Sequence, residues 1–355
     1  MADYRIRGFA GAPDLCPTSD IIHTGVIITM RLHDLLRIDE NEIVHIPEPC
    51  FSDQGTCEQS ARYRYEIVQS GIVFDDVIRI EAHDDDNAGD AGLSGLAISM
   101  HSDGQDFWLV FTDMISKDPG FADHAAMLCK QSNNVRIVET TSLLFMDAII
   151  EYYSLMLVNR MLCENCMHGK KSFDSIFSES RAARLETLLK TIEQSDDLDF
   201  AGMSVLEICC GNGMATIALR QLGCDPVCLD SDKCAVCEGL EHGVFLPHRS
   251  MVLDATHISP FFEAGSFDCV AGFMLGAIYP FNKDVWKRIM AESIVPLREG
   301  GFLVFTVHKN EEIVILKEVM DELGMTGRVI DNRDDAGMYD QWVYVGQKRR
   351  IQNLM

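Results

Sequence analysis

Short apolar segments alternate with helix-forming segments along the second half of the chain. The apolar segments read as strands: "SVLEIC", "PVCLD", "SMVLD", "FDCVAGF" and "FLVFTV", followed by the helical segment "EEIVILKEVMDELG" and two more strands, "GRVID" and "QWVYVGQ". Strands that alternate with helices are typical of a parallel sheet covered on both faces. We therefore predict an α/β fold from about residue 201 to 355, with the last two strands forming an antiparallel hairpin at the sheet edge.

The first 140 residues predict a different, strand-rich α+β region. One helical segment, "ADHAAMLCKQ", interrupts segments with the β-branched and aromatic content of strands. These strand segments are "GVIITMRL", "RYRYEIV", "VIRIEA", "GLAISMHS", "DFWLVFTDM" and "NVRIVE". The fourth and fifth flank a turn that contains glycine, and this arrangement predicts a hairpin. We interpret residues 1–140 as an accessory domain that recognises a substrate or a regulator.

Two helices are predicted between these regions, over residues 141–200. Residues 141–168 are almost continuously apolar, which predicts a helix buried between the two halves. A second helix over residues 172–194 should pack on the following sheet, because its apolar positions form one stripe: Leu185, Leu188, Leu189 and Ile192.

Composition narrows the classes of partner. The 355 residues include 30 Lys and Arg against 55 Asp and Glu, a net charge of -25, which disfavours nucleic acid and anionic membranes. No apolar run reaches the roughly 20 residues that span a bilayer. The thirteen cysteines are an odd number, and the polar beginning "MADYRIRGFA" is unlike a signal peptide, so we expect free thiols in a cytoplasmic protein.

The stretch "VLEICCGNGMATIA" carries the candidate chemistry. Gly211 and Gly213 follow the first predicted strand of the α/β region, where glycines let a ligand approach the backbone. Asp230 ends the second strand, about 20 residues on, where an acidic side chain can accept hydrogen bonds from ribose hydroxyls. Asp254 and Ala255 follow the third strand, at a position that would meet an adenine edge.

Taken together, these residues resemble the class I S-adenosylmethionine-dependent methyltransferases. The resemblance rests on five ordered motifs: Glu207-x-Cys209-x-Gly211-x-Gly213, Asp230, the segment "DATHIS", the segment "GSFDCV", and the turn "LREGGFL". It covers residues 172–347 and leaves about the first 140 residues unexplained. The resemblance implies a doubly wound, seven-stranded Rossmann-like sheet, S-adenosylmethionine as the cofactor, and methyl transfer as the activity.

Roles for individual residues follow from the resemblance. Glu207 would orient the glycine turn or the amino group of the methionine moiety, and Asp230 would hold the ribose hydroxyls. Asp254 and the backbone of Ala255 would address adenine, while Met274, after the fourth strand, would flank the methionine end. The remaining cofactor-binding candidates are Cys209, Gly211, Gly213 and Ser231.

Two cysteines before the first glycine raise the alternative of a thiol site. Cys209 occupies a position that often holds glycine in the resembling enzymes, and cysteine is small and apolar enough to serve as a wall residue. We favour this packing role over a reactive thiol.

The methyl acceptor is less constrained by the sequence. His308 follows the fifth strand and Tyr279 follows the fourth, so either could take a proton from an acceptor at the rim of the site. Each could instead be an ordinary surface residue, and His308 could cap the next helix. The segment "GFMLGAIYPF" lacks the Asn-Pro-Pro-Tyr pattern of amino-methylating enzymes that act on DNA bases. The acceptor is therefore expected to be a protein side chain or a small molecule.

Two alternative functions remain open. The chain could be a non-catalytic protein that senses the cofactor or forms a scaffold through its N-terminal region. It could also be a metal or thiol-transfer protein centred on Cys163 and Cys166. With His168 in "CENCMH" these cysteines have the spacing of zinc ligands, but a single pair of this kind also fits buried thiols at a helix end. We expect no metal in the site.

Overall fold

Two β-sheets organise the chain, one in each half. In the computed structural model, each sheet is built from strands that are consecutive or nearly so in the sequence. The structure describes residues 31–48, 51, 56–83, 92–102, 104–115, 118–159, 162, 172–334 and 338–349.

The first sheet has five strands in the order β1-β4-β3-β2-β5. They are β1 (Ile43–His45), β2 (Phe74–His83), β3 (Gly92–Ser102), β4 (Gln105–Thr112) and β5 (Ser132–Thr141). β3 and β4 pair antiparallel, which confirms the predicted hairpin. β1 and β5 pair parallel with their neighbours and form the two edges of the sheet.

One face of this sheet is covered by helices α2 (Thr56–Ser70) and α3 (Phe121–Lys130). The prediction of a strand at "RYRYEIV" is wrong, because these residues belong to α2. Among the α2 side chains that the structure describes, four are buried at a helical spacing: Ser60, Arg64, Ile67 and Val68. Two of the four are polar, so the sequence shows no apolar stripe of the kind that predicts a helix. The alternating tyrosines favoured a strand instead.

Helix α1 (Arg31–Leu36) begins where the first strand was predicted to end. The predicted strand "GVIITMRL" is therefore wrong at Arg31 and Leu32, and residues 25–30 lie outside the described part of the chain. Leu32 and Leu36 are fully buried and contribute to the core that α1 shares with the long helix over residues 142–158.

Helix α4 (Ser142–Val158) lies between the two sheets, as its apolar character predicted. It ends ten residues before the predicted boundary at residue 168, since Asn159 caps its last turn. The Ser154 hydroxyl donates to the carbonyl of Ser250 at 2.9 Å. This contact satisfies a backbone group on the edge strand of the second sheet, where an unpaired strand would otherwise be exposed.

The second sheet has seven strands in the order β11-β12-β10-β9-β6-β7-β8. They are β6 (Val205–Ile208), β7 (Val227–Asp230), β8 (Ser250–Val252), β9 (Phe267–Gly272), β10 (Leu297–Val307), β11 (Thr326–Asp331) and β12 (Trp342–Gln347). β6 to β10 are parallel, and β12 runs antiparallel between β10 and β11. The predicted doubly wound sheet and its terminal hairpin are confirmed.

Helices cover both faces of this sheet. They are α5 (Glu179–Asp196), α6 (Met214–Gln221), α7 (Lys233–Glu241), α8 (Lys283–Ile294) and α9 (Asn310–Glu322). Successive strand residues point to opposite faces: Val304 packs with α5 and α6, whereas Leu303 and Phe305 pack with α8 and α9. The apolar stripe predicted on α5 is buried in the same core as Val304. Across the described ranges, the helices are too short or too polar to cross a bilayer.

A buried ion pair holds the first helical layer in place. Arg64 is fully buried between the rings of Phe111 and Phe121, and its Nη2 lies 2.6 Å from Oδ2 of Asp118. Burial raises the pKa of Asp118, but hydrogen bonds from Gly120 and Arg64 outweigh it and hold the pKa below its usual value.

Asp118→Ala should destabilise the protein by about 3–5 kcal/mol, because it leaves a buried guanidinium without its carboxylate. Arg64→Met should cost clearly less, since it removes the charge and keeps an apolar side chain between the two rings. Chemical denaturation measures both, and Arg62→Met, at an exposed position of the same helix, serves as the control. Equal, small losses for all three variants would contradict the assignment.

Candidate functional site

The turn after β6 is built from left-handed backbone conformations. Cys209, Gly211 and Gly213 have φ angles of 51°, 55° and 91°. Glycine adopts this region freely, whereas a cysteine does so at a cost. This explains why the position of Cys209 favours glycine, and it marks the turn as locally strained.

The two glycines of the turn have different surroundings. A Cβ at Gly213 would lie 2.6 Å from Val244 and 2.7 Å from Phe245, so this glycine is required by packing. A Cβ at Gly211 would have nothing within 4 Å. Gly211 therefore presents its backbone to open space, as a ligand-binding turn requires.

Asp230 ties this turn to the next strand. Its Oδ2 accepts from the backbone N–H of Gly211 at 2.8 Å, and its Oδ1 accepts from that of Asp232 at 2.7 Å. Asp232 in turn caps α7 by accepting from Cys234 at 2.9 Å, while Ser231 is exposed between them. A carboxylate has about four acceptor sites, so Asp230 retains capacity for a ligand hydroxyl.

Asp254 follows β8 and caps a short turn. Its Oδ1 accepts from the backbone and the hydroxyl of Thr256, both at 2.8 Å. Burial raises the pKa of Asp254, but these two bonds outweigh it and lower the pKa. Asp254 thus caps the turn after β8, a role that needs no ligand, and the small side chain of the neighbouring Ala255 is buried.

The two thiols before the first glycine are protonated at neutral pH. Burial, and next the charges of Asp230 and Asp254, raise the pKa of Cys209 to about 12. Burial also raises the pKa of Cys210 well above its usual value. Because the thiolate is the nucleophilic form, these shifts favour the packing role over a reactive thiol.

Glu207 lies beneath the turn. Its carboxylate is 1% exposed and accepts from the hydroxyl of Thr216 in α6 at 2.6 Å and from the thiol of Cys228 at 3.6 Å. Burial raises the pKa of Glu207 to about 7, against the opposing hydrogen bonds. The carboxyl group thus joins β6 to α6 and supports the turn from below.

Met274 belongs to a buried polar network that the sequence did not reveal. It has a left-handed φ of 53°, and its N–H donates to the hydroxyl of Thr306 at 2.7 Å. Thr306 donates to Oδ1 of Asp340 at 2.5 Å, and Arg181 Nε donates to Oδ2 of Asp340 at 3.0 Å. Each residue looks unremarkable in the sequence because its partners lie 32 or more residues away.

The two predicted acceptor-side residues lie on the rim at the carboxyl ends of β9 and β10. Tyr279 is 37% exposed and stacks on Phe281, and the Nζ of Lys309 lies 5.8 Å from its ring centre. His308 precedes Lys309, and its backbone N–H donates to Glu312 at the start of α9. The His308 side chain is exposed. Both rings are therefore accessible from solvent.

The structure brings most of the predicted residues together at the carboxyl ends of the strands of the second sheet. Cys209, Gly211, Asp230 and Asp254 lie together at the ends of β6, β7 and β8, and Met274 lies at the end of the adjacent β9. Gly213 supports this group through packing, and Glu207 supports it through hydrogen bonds. Cys163, Cys166 and His168 lie outside the described residues, within which no group of three or more His, Cys, Asp or Glu could hold a metal ion.

Relative to the wild-type protein, Glu207→Gln should gain stability as the pH rises from about 4.5 to about 7. The unfolded carboxyl loses its proton near its ordinary pKa of 4.5, whereas the buried one keeps it until about 7. Stability that the protonated form contributes is therefore lost across this window, by roughly 1.4 kcal/mol per pH unit, and glutamine does not titrate. Denaturant unfolding of both proteins at a series of pH values measures it. A difference that does not change with pH would contradict the shift.

No protein-family model and no curated protein matches the chain. Solved methyltransferase structures are similar to part of it. The S-adenosylmethionine-dependent methyltransferase of Archaeoglobus fulgidus is 13% identical over 46% of this chain and 94% of its own, with a TM-score of 0.35. That of Clostridium acetobutylicum is 12% identical over 48% and 92%, with a TM-score of 0.38. The strand order, not these low scores, identifies the fold: the C-terminal half is a class I methyltransferase-like sheet.

Proposed function

We propose that the chain is an S-adenosylmethionine-dependent methyltransferase. The observation that supports this most is the pairing of Gly211 with Asp230: an open glycine backbone at the end of β6 and a carboxylate with spare acceptor sites at the end of β7. In doubly wound sheets, ligands bind beyond the carboxyl ends of the strands. The ends of β6 and β7 are neighbours here.

The residues present fit this cofactor. Asp230 would accept the ribose hydroxyls, and Ala255, small and buried beside Asp254, would lie against adenine. Cys209 and Met274 would flank the methionine end, and Gly211 would let it approach the backbone. The cofactor supplies an electrophilic methyl group. The protein would then orient an acceptor toward that group, and such positioning can account for most of an acceleration.

His308 and Tyr279 are our candidates for the group that takes the acceptor's proton. Both are exposed at the rim next to β9 and β10, on the side of the site away from Asp254. We propose a protein side chain or a small molecule as the acceptor, because a net charge of -25 disfavours nucleic acid. We also propose a reducing, cytoplasmic environment, in which free thiols are stable: Cys129, Cys209, Cys210, Cys224, Cys228 and Cys269.

A protein that only senses the cofactor, or a scaffold, is the second candidate. It would share the cofactor site but would not need accessible groups at the rim. Transfer of labelled methyl groups from S-adenosylmethionine to components of a cell extract separates the two, with His308→Ala and Tyr279→Phe as matched variants. Labelling that requires the intact protein supports the enzyme, and binding without labelling supports the sensor.

Asp230→Ala should weaken S-adenosylmethionine binding by about 1–3 kcal/mol, because hydrogen bonds to a charged group are lost. Calorimetric titration measures the affinity. Asp225→Ala is the control. The exposed Asp225 carboxylate lies in the connection before β7 and pairs with Arg220 of α6, so its loss should leave the affinity unchanged.

Two results would count against this assignment. An unchanged affinity of Asp230→Ala would remove Asp230 from the site. A wild-type protein that binds neither S-adenosylmethionine nor S-adenosylhomocysteine would overturn the proposed function.

A further inference from the structure

A buried chain of polar contacts links four neighbouring elements beside the candidate site. It runs from Arg181 in the first turn of α5, through Asp340 before β12 and Thr306 at the end of β10, to Met274 after β9. Thr306 is fully buried and Asp340 is 4% exposed. The charged members therefore interact with little screening by solvent.

The chain closes on itself at Met274. The Thr306 hydroxyl accepts from the Met274 N–H and donates to Asp340, so a single hydroxyl fixes both residues. The Asp340 N–H in turn points at the Met274 sulfur, at 3.1 Å. These contacts fix both the backbone and the side chain of Met274.

The two residues joined by Thr306 have an unfavourable backbone conformation. Met274 and Asp340 have left-handed φ angles of 53° and 56°. Non-glycine residues persist in this region only where their surroundings hold them, and such strain gathers at functional sites. Arg181 supplies part of the restraint: it binds Asp340 at 3.0 Å and lies 4.8 Å from the ring centre of Tyr339.

The position of Met274 gives this restraint a purpose. β9 pairs with β6, with Ala271 opposite Glu207, so Met274 leaves the sheet beside the Cys209 turn. We propose that Thr306 and Asp340, held by Arg181, are positioning residues that set Met274 against the methionine end of the bound cofactor. They act through Met274 and do not touch the cofactor. This inference rests on the proposed function and extends it to three residues outside the glycine turn and the strand-end acidic positions.

The test compares Thr306→Val with Thr306→Ser. Valine keeps the branched shape and removes the hydroxyl, whereas serine keeps the hydroxyl. The two probes are S-adenosylhomocysteine, which carries the amino-acid end, and 5′-methylthioadenosine, which lacks it. Calorimetric titration of the full-length protein gives both affinities for each variant.

Thr306→Val should weaken S-adenosylhomocysteine binding about tenfold, the size expected when buried partners lose a hydrogen bond. It should leave the 5′-methylthioadenosine affinity within about twofold, and Thr306→Ser should retain both affinities. Should Thr306→Val fail to fold, Asp340→Asn provides the same comparison, because asparagine tolerates a left-handed backbone and lacks the charge that Arg181 pairs with.

Three results would overturn the inference while leaving the cofactor site intact: full retention of S-adenosylhomocysteine affinity in Thr306→Val, an equal loss for both probes, or the same defect in Thr306→Ser. Failure of the wild-type protein to bind either probe is a different result. It would overturn the proposed function, and the inference with it.

Discussion

The candidate site depends on the hydrogen bonds that the Asp230 carboxylate accepts from the backbone. It accepts from the Gly211 N–H at 2.8 Å and from the Asp232 N–H at 2.7 Å, so it joins the turn after β6 to the start of α7. The backbone adds a second tie between the turn and β7, because the Cys210 N–H donates to the carbonyl of Leu229 at 3.1 Å. The same carboxylate is the group best placed to receive a ribose hydroxyl, which means that one side chain both builds the turn and would hold the ligand.

The parallel strands of the second sheet bring the other residues of the site together. Because β6 to β10 are parallel, their carboxyl ends meet at one edge, and residues far apart in sequence are brought together there. Helices on both faces exclude water from the strands, and α4 covers the edge at β8. A ligand would therefore meet a floor of strand ends below exposed rim side chains such as Tyr279 and His308.

The second sheet was predictable from the sequence because its signals are local. Each strand is a short apolar run, and Gly211, Asp230 and Asp254 stand directly at strand ends. The first half was less predictable. Helix α2 buries Ser60 and Arg64 where an apolar stripe would have marked it, and the alternating tyrosines favoured a strand. Tertiary contacts with the sheet, not local propensity, decided its conformation.

The polar network at Met274 escaped prediction for a related reason. A threonine inside an apolar strand and an aspartate before another strand have no distinguishing pattern, and only the fold places Thr306 between Asp340 and Met274. The sequence likewise left two roles open for Glu207, orienting the glycine turn or the amino group of the methionine moiety, and only the fold shows that its carboxylate is buried against Thr216. Positions on strands are readable from sequence, but the direction of a buried polar side chain depends on its partners.

A crystal structure of the protein with S-adenosylhomocysteine would locate the cofactor site. We expect ribose hydroxyls within hydrogen-bonding distance of Asp230, adenine beside Ala255 and the amino-acid end between Cys209 and Met274. A ligand bound elsewhere would contradict this expectation, for instance in the open cleft between Arg328 and Arg349 at the opposite end of the sheet.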